Sequence, residues 1–221
     1  MIALVIGLVV FLGTHWIGVL APRFRERHIA RLGIGTYKGA YTLASIVGLA
    51  LLIWGYGMAR KIPVVLWAGG ESMRQATAAL SVLGFVLIAS AYVPRNRIRQ
   101  VLGHPMTLGV GSWAFGHLLT NGRLADVILF GAFLVWSAVT FATRRRRDRE
   151  AHVAYARDGP PRARIAPPGG QRSSETASVG GSYTRGDVTH DAIAVVAGVA
   201  IAMIFAIFLH GPLIGVRPFG S

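Results

Sequence analysis

The chain has 221 residues, of which 53% are hydrophobic and only 14% charged, with a net charge of +14 and a mean hydropathy of +0.52. A soluble domain of this length is usually about a quarter charged, so that class is excluded at the outset. The lack of cysteine excludes disulfides, iron–sulfur ligation and thiol catalysis.

Stretches free of Asp, Glu, Lys and Arg cover residues 1–22, 39–59, 75–94, 100–122, 127–143 and 192–216. A bilayer span needs roughly 20 apolar residues, because a helix rises about 1.5 Å per residue across a core of about 30 Å. Five stretches reach that length alone, and the sixth reaches it as 124–143 if Asp126 sits at the headgroups as a solvated end residue. The expected fold is all-α, a bundle of six transmembrane helices. The basic residues set its orientation. The segments 21–38, 94–99 and 144–190 hold eighteen Lys and Arg, whereas the segments between the other spans and the termini hold five. By the positive-inside rule the basic segments are cytoplasmic and both termini lie outside. The same placement assigns the charge to the lipid bilayer and not to nucleic acid.

In chain order, the first stretch has no basic residue ahead of it and Arg23, Arg25 and Arg27 behind it. It therefore reads as an uncleaved span and not as a signal peptide. The second span, Gly39 to Ala59, is followed by Val64-Val65-Leu66-Trp67-Ala68, too short to cross and closed by Gly69-Gly70, hence an interfacial segment. Trp54 and Trp67 suit an aromatic belt at that end. The third span runs from about Gln75 to Tyr92 and stops at Val93-Pro94. The fourth begins after His104-Pro105, where proline suits a first turn. It ends at Asn121-Gly122, read as a left-handed cap, and pairs with the fifth as an antiparallel hairpin. From Arg144 to His190 the composition turns basic and rich in Pro, Gly and Ser. This reads as a disordered cytoplasmic linker, with Arg144–Arg147 against anionic headgroups. Two segments, 1–143 and 191–221, then form one transmembrane domain.

No phosphate loop, paired carboxylate or zinc spacing is present, so the histidines carry whatever chemistry there is. His28, His152 and His190 fall in polar segments. His15, His104, His117 and His210 fall within or at the ends of apolar stretches, where ionisable groups are costly and tend to mark function. By helical rise, His15 and His117 lie within the hydrocarbon and differ in depth by some 9 Å, while His104 and His210 lie near opposite faces. Two buried imidazoles on different helices, without carboxylates, suit haem iron better than a hard cation. Gly109, Trp113, Thr120 and Asn121 share the face of His117, and Leu8, Phe11 and Gly18 that of His15. The same small and aromatic residues fit plain helix–helix packing equally well, and Gly109-Val110-Gly111 in particular reads as a packing motif.

Several segments resemble the NnrU-like membrane family, whose relatives include the plant and cyanobacterial ζ-carotene isomerase. They are Gly13-Thr14-His15, Ala21-Pro22-Arg23, Tyr37-Lys38-Gly39-Ala40-Tyr41-Thr42-Leu43, Gly103-His104-Pro105-Met106, Trp113 to Gly122, and His210-Gly211-Pro212-Leu213-Ile214-Gly215-Val216. The resemblance spans all six expected helices and leaves out 144–190. It implies a multi-pass protein of the bacterial inner membrane associated with nitrite and nitric oxide metabolism, with membrane respiratory or denitrification proteins as partners. From the isomerase branch it implies haem b bound by two histidines matching His15 and His117; Trp113 and Gly109, on the helical face of His117, are then read as lining that cofactor. That branch also has an alternative cysteine ligand, which falls at Ala114 here, and an arginine before its His-Pro, which falls at Gly103. These departures weigh against haem-dependent cis–trans isomerisation of a polyene, which stands as the alternative activity. His104 and His210 are then structural or pocket residues. His-Pro followed by a helix pair also resembles the integral membrane methyltransferases, a third reading that Met106-Thr107 fits poorly.

Overall fold

The computed structural model describes residues 1–159 and 187–211. Its helices are α1 (Ile2–Leu20), α2 (Pro22–Ala59), α3 (Glu71–Tyr92), α4 (Arg97–Leu102), α5 (Pro105–Thr120), α6 (Leu124–Asp158) and α7 (Val188–Ile204), the last continuing as a π turn, Phe205–Leu209. Two short strands, β1 (Val65–Ala68) and β2 (Asn121–Arg123), pair antiparallel.

α6 stands at the centre of a row. α1 and α5 pack on either side of it, α2 packs on α1, α3 on α5, and α7 on α3. Small residues set the closest approaches. A Cβ on Gly7 would lie 2.5 Å from the Leu52 amide nitrogen, and one on Gly48 2.8 Å from that of Phe11, so α1 and α2 run antiparallel with backbones nearly touching. Gly109 and Gly84 do the same for α5 and α3. The packing reading of Gly109-Val110-Gly111 therefore holds, since a Cβ on Gly111 would meet Ser137 Oγ of α6 at 2.6 Å. Leu4, Leu8 and Leu12 of α1, Leu52 and Tyr56 of α2, and Leu129, Phe130 and Trp136 of α6 belong to one buried core.

Among the described residues, five helices are long and apolar enough to cross a membrane: α1, α2, α3, α6, and α7 with its π turn. The sixth expected span, α5, has 16 residues, about 24 Å at helical rise against a core of about 30 Å. It is short because Asn121 and Gly122 leave the helix. Asn121 is extended (φ −100°, ψ 97°) and starts β2, so the expected left-handed cap is not formed. The interfacial stretch 64–68 is correspondingly a strand, with Val65 opposite Arg123 and Ala68 opposite Asn121.

Three further expectations change. The basic segment after the first span is helical, since Pro22 starts α2 at once and the helix continues to Ala59, interrupted at Gly33, whose φ of 80° only glycine adopts without strain. Arg144–Arg147 continue α6 to Asp158, because Ala, Arg and Glu favour helix and an established helix extends at little cost. The expected disordered linker therefore does not begin at 144, and the remainder of that tract, 160–186, lies outside the described residues. Finally, Asp126 is not a solvated end residue. It is 3% exposed, accepts a 2.6 Å hydrogen bond from Tyr56 Oη, and accepts a second from the Arg123 backbone amide at the start of α6.

Candidate functional site

The face of α6 that carries Phe130, Phe133 and Trp136, spaced by one helical turn, lies between α1 and α5 and meets both mid-span histidines. His117 of α5 lies 4.6 Å, centroid to centroid, from Phe130 and 5.1 Å from Trp113. Its Nδ1 donates to the Trp113 carbonyl at 2.9 Å. His15 of α1 is built alike: its Nδ1 donates to the Phe11 carbonyl at 2.7 Å, and its ring meets Phe11, Tyr41 and Trp136. A carbonyl oxygen can only accept, so in each neutral ring Nδ1 carries the proton and Nε2 keeps the lone pair. That is the tautomer a metal-binding histidine needs, fixed by an outer hydrogen bond. Exposed His28 makes the same bond to Phe24, so the bond prepares a ligand without by itself marking one.

The two histidines are not neighbours. Ring contacts lead from His15 to Phe11 (4.4 Å), Phe133 (6.0 Å), Trp113 (5.6 Å) and then His117 (5.1 Å). Along α6, His15 is level with Trp136 and His117 with Phe130, six positions away, or about 9 Å of helical rise. That offset agrees with the depth difference expected from the sequence. What the structure sets beside His117 is His210, with centroids 6.5 Å apart and planes 22° from parallel.

The other expected site residues divide. Trp113 stays at the centre, between His117, Phe130 and Phe133. Gly109 lies instead at the α3–α5 contact, where Gly84 and Ile88 fill the space beside it. Thr120 turns to α3, sharing a 2.5 Å hydrogen bond with Thr77 and donating to the Met73 carbonyl. His104 pairs with Asp148 at 2.8 Å and tethers the extension of α6 to the start of α5, a structural contact. Ala114 is fully buried.

Two features went unseen in the sequence. One is the Tyr56–Asp126 pair, which joins α2 to α6 across seventy residues of chain and has no local signature. The other is that, among the described residues, two of the three buried polar side-chain atoms without a hydrogen-bond partner, Trp136 Nε1 and Ser45 Oγ, lie on the His15 side of the bundle. Trp136 abuts His15, and Ser45 lies one turn from Tyr41 on the α2 stripe that faces α1. Buried donors of this kind cost about 1–3 kcal/mol when unpaired, so a polar occupant beside His15 would be stabilised there.

Fold and site together define a polytopic helical membrane protein with a histidine- and aromatic-lined centre around its middle helix. Comparison with protein families identifies it further. The family model described as NnrU protein matches residues 3–218, and the chain belongs to that family. No curated protein and no solved structure matches the chain.

Proposed function

We propose that this protein binds haem b in the bacterial cytoplasmic membrane and acts in nitrite and nitric oxide metabolism. Family membership carries the physiological half of this reading. The observation that carries the chemical half is His117, whose Nδ1–H is held by the Trp113 carbonyl, leaving Nε2 as the lone-pair nitrogen among aromatic rings. Haem would supply a one-electron iron couple. The chain's own contribution is to fix the tautomer of His117, to shield it with Phe130 and Trp113, and to surround it with helices that exclude water. His15 has the same prepared tautomer, with Phe11 and Phe133 between it and His117. The chain has no thiolate to offer, and Ala114 occupies the isomerase cysteine position, which favours the respiratory reading over polyene isomerisation.

The proposal includes six crossings with both termini outside. α5 is short, yet it runs antiparallel beside α3 along its length, from Gly109 against Gly84 to Thr120 against Met73. A helix so matched to a crossing neighbour shares its depth, and β2 closes its outer end against β1.

Absorption spectra of the detergent-purified protein, oxidised and reduced, test the cofactor. A Soret band with reduced α and β bands is expected after expression with ample haem, and its absence from pure, monodisperse protein overturns the haem reading. Deleting the gene should alter growth on nitrate or nitrite, or nitric oxide consumption, and leave carotenoid isomers unchanged. Accumulation of a cis polyene would instead establish the isomerase reading.

A further inference from the structure

The register of the α1–α2 hairpin fixes the height of the basic segment between the two crossings. Leu4 lies against Gly55, Gly7 against Leu52 and Phe11 against Gly48, so Leu20, the last residue of α1, is level with Gly39. Arg147 of α6 donates to the Val19 carbonyl, which brings the end of the uncharged part of α6 to the same level. From Leu20 to Gly39 the chain runs out along an arm, Pro22–Leu32, turns at Gly33 (φ 80°, ψ 156°) and returns along 34–38. The arm is not collinear with the rest of α2. Arg25 lies 5.9 Å over the Tyr37 ring, whereas a straight helix would put their Cα atoms about 18 Å apart, more than the two side chains span. The rise from Gly39 to Gly33 is about 9 Å and the arm is about 16 Å long, so the arm leans to within about 35° of the plane perpendicular to α2.

The side chains of the arm sort by face. At about 100° per residue, Phe24, His28 and Leu32 form one row. Arg23, Arg27 and Arg31 form the row beside it, Arg25 flanks it on the other side, and Glu26, the one carboxylate of the arm, lies opposite. Among the described residues the apolar row is left open, with Phe24 43% and Leu32 55% exposed. Arg27 uses Nε on the Arg23 carbonyl and keeps its terminal nitrogens for another acceptor. An apolar row between arginines, with the acid opposite, suits a helix lying in a membrane interface. There arginine stems pack on acyl chains and guanidinium groups reach phosphate.

We infer that Pro22–Leu32 is an interfacial anchor for anionic phospholipid, with Phe24, His28 and Leu32 toward the acyl chains and Arg23, Arg27 and Arg31 on headgroup phosphates. Ala21 alone joins the arm to a helix that has just crossed, so the arm starts in the headgroup layer. Gly33, in a conformation that suits glycine, then turns the chain back into the second crossing. Arg144–Arg147 continue the basic belt at the same height. The choice of leaflet rests on the proposed topology, whereas the placement in a headgroup layer rests on the hairpin register.

The chain contains no cysteine, so single cysteines placed along the arm of the full protein can be spin-labelled directly. Labels are read in nanodiscs by collision with oxygen, which concentrates in lipid, and with a neutral nickel chelate, which stays in water. In mixed phosphatidylcholine and phosphatidylglycerol, the oxygen-to-nickel ratio should be several-fold higher for Phe24→Cys, His28→Cys and Leu32→Cys than for Glu26→Cys and Ala30→Cys. Adding phosphatidylglycerol to phosphatidylcholine should raise the ratio at Leu32→Cys by about twofold or more. Combined Arg23→Gln, Arg27→Gln and Arg31→Gln should abolish that response, and Lys at the same three sites should keep it. Equal ratios at all five positions would place the arm in water and overturn the proposal. Loss of both collisions at 24, 28 and 32 would mean that protein covers the row, another part of the chain or a second copy, and overturns it too. A lipid-facing row that does not respond to phosphatidylglycerol refutes the anionic ligand. Nanodiscs offer the same lipid on both faces, so an error in topology, read by reporter fusions, leaves this test undisturbed.

Discussion

Tyr56 of α2 donates a 2.6 Å hydrogen bond to Asp126 of α6, a carboxylate whose second oxygen accepts from the Arg123 amide at 3.3 Å. Both side chains are buried, and Arg60 lies 5.6 Å over the Tyr56 ring. The pair is one of the polar ties between the α1–α2 hairpin and the central helix, beside Trp16 Nε1 donating to Thr140 Oγ1 and Arg147 donating to the Val19 carbonyl. Tyr56→Phe would leave a buried carboxylate oxygen without its donor, at a cost of about 1–3 kcal/mol. Thermal denaturation in detergent should show that loss. Asp126→Ala removes the acceptor of the Arg123 amide as well and should cost more. The double variant should cost less than the sum of the singles by about 0.5–3 kcal/mol, because the two groups share one interaction. Strict additivity would show that the bond contributes nothing to stability.

The close approach of α3 and α5 gives a second prediction. A methyl group on Gly109 would lie 2.5 Å from the Gly84 carbonyl oxygen and 3.1 Å from the Ile88 amide nitrogen, both backbone atoms that cannot yield alone. Gly109→Ala should force the helices apart and destabilise the protein by about 1–3 kcal/mol. Gly131→Ala, where nothing lies within 4 Å, is the matched control and should be neutral or slightly stabilising through higher helix propensity. Equal stability of the two variants would mean that α5 does not pack as described.

Topology is testable by reporter fusion. With six crossings, a fusion at Arg149 reports the cytoplasm and one at Ser221 the outside. Fusions at Gly70 and Gln100 isolate α3 and should also report opposite sides. The same side for Arg149 and Ser221 would overturn the proposed number of crossings.

Asp187, the N-cap of α7, accepts from the Thr189 amide at 2.9 Å, and that hydrogen bond holds its carboxyl below the ordinary value of 3.8. A lowered folded value means that the ionised cap stabilises fully above about pH 3.8 and loses its contribution as pH falls through the folded value. Asp187→Ala should therefore lower the melting temperature at neutral pH by a small, measurable amount. The difference from wild type should shrink steadily below pH 3.8. A difference independent of pH would show that the charge is not what caps the helix.

Much of this protein follows from local sequence. Uncharged stretches near 20 residues long can only be buried in lipid or core, so the apolar helices and their order are legible without coordinates. The stops at Val93-Pro94 and the start at Pro105 are equally local, because proline acts on the backbone beside it. The offset of His15 from His117 along the bundle also follows, since helical rise converts position directly to height. Local signals misread the places where a distant partner intervenes. Asn121-Gly122 looks like a helix cap until β1 is there to pair with it, and Asp126 looks solvated until Tyr56 arrives from another helix. Arg144–Arg147 look like the start of a linker because composition does not record that α6 is already formed and ready to extend. Which histidine faces which is beyond the sequence altogether. Height comes from counting residues, but azimuth depends on how the helices rotate against one another. Here the order of packing around α6 places Phe11 and Phe133 between His15 and His117, and a π turn brings His210 alongside His117.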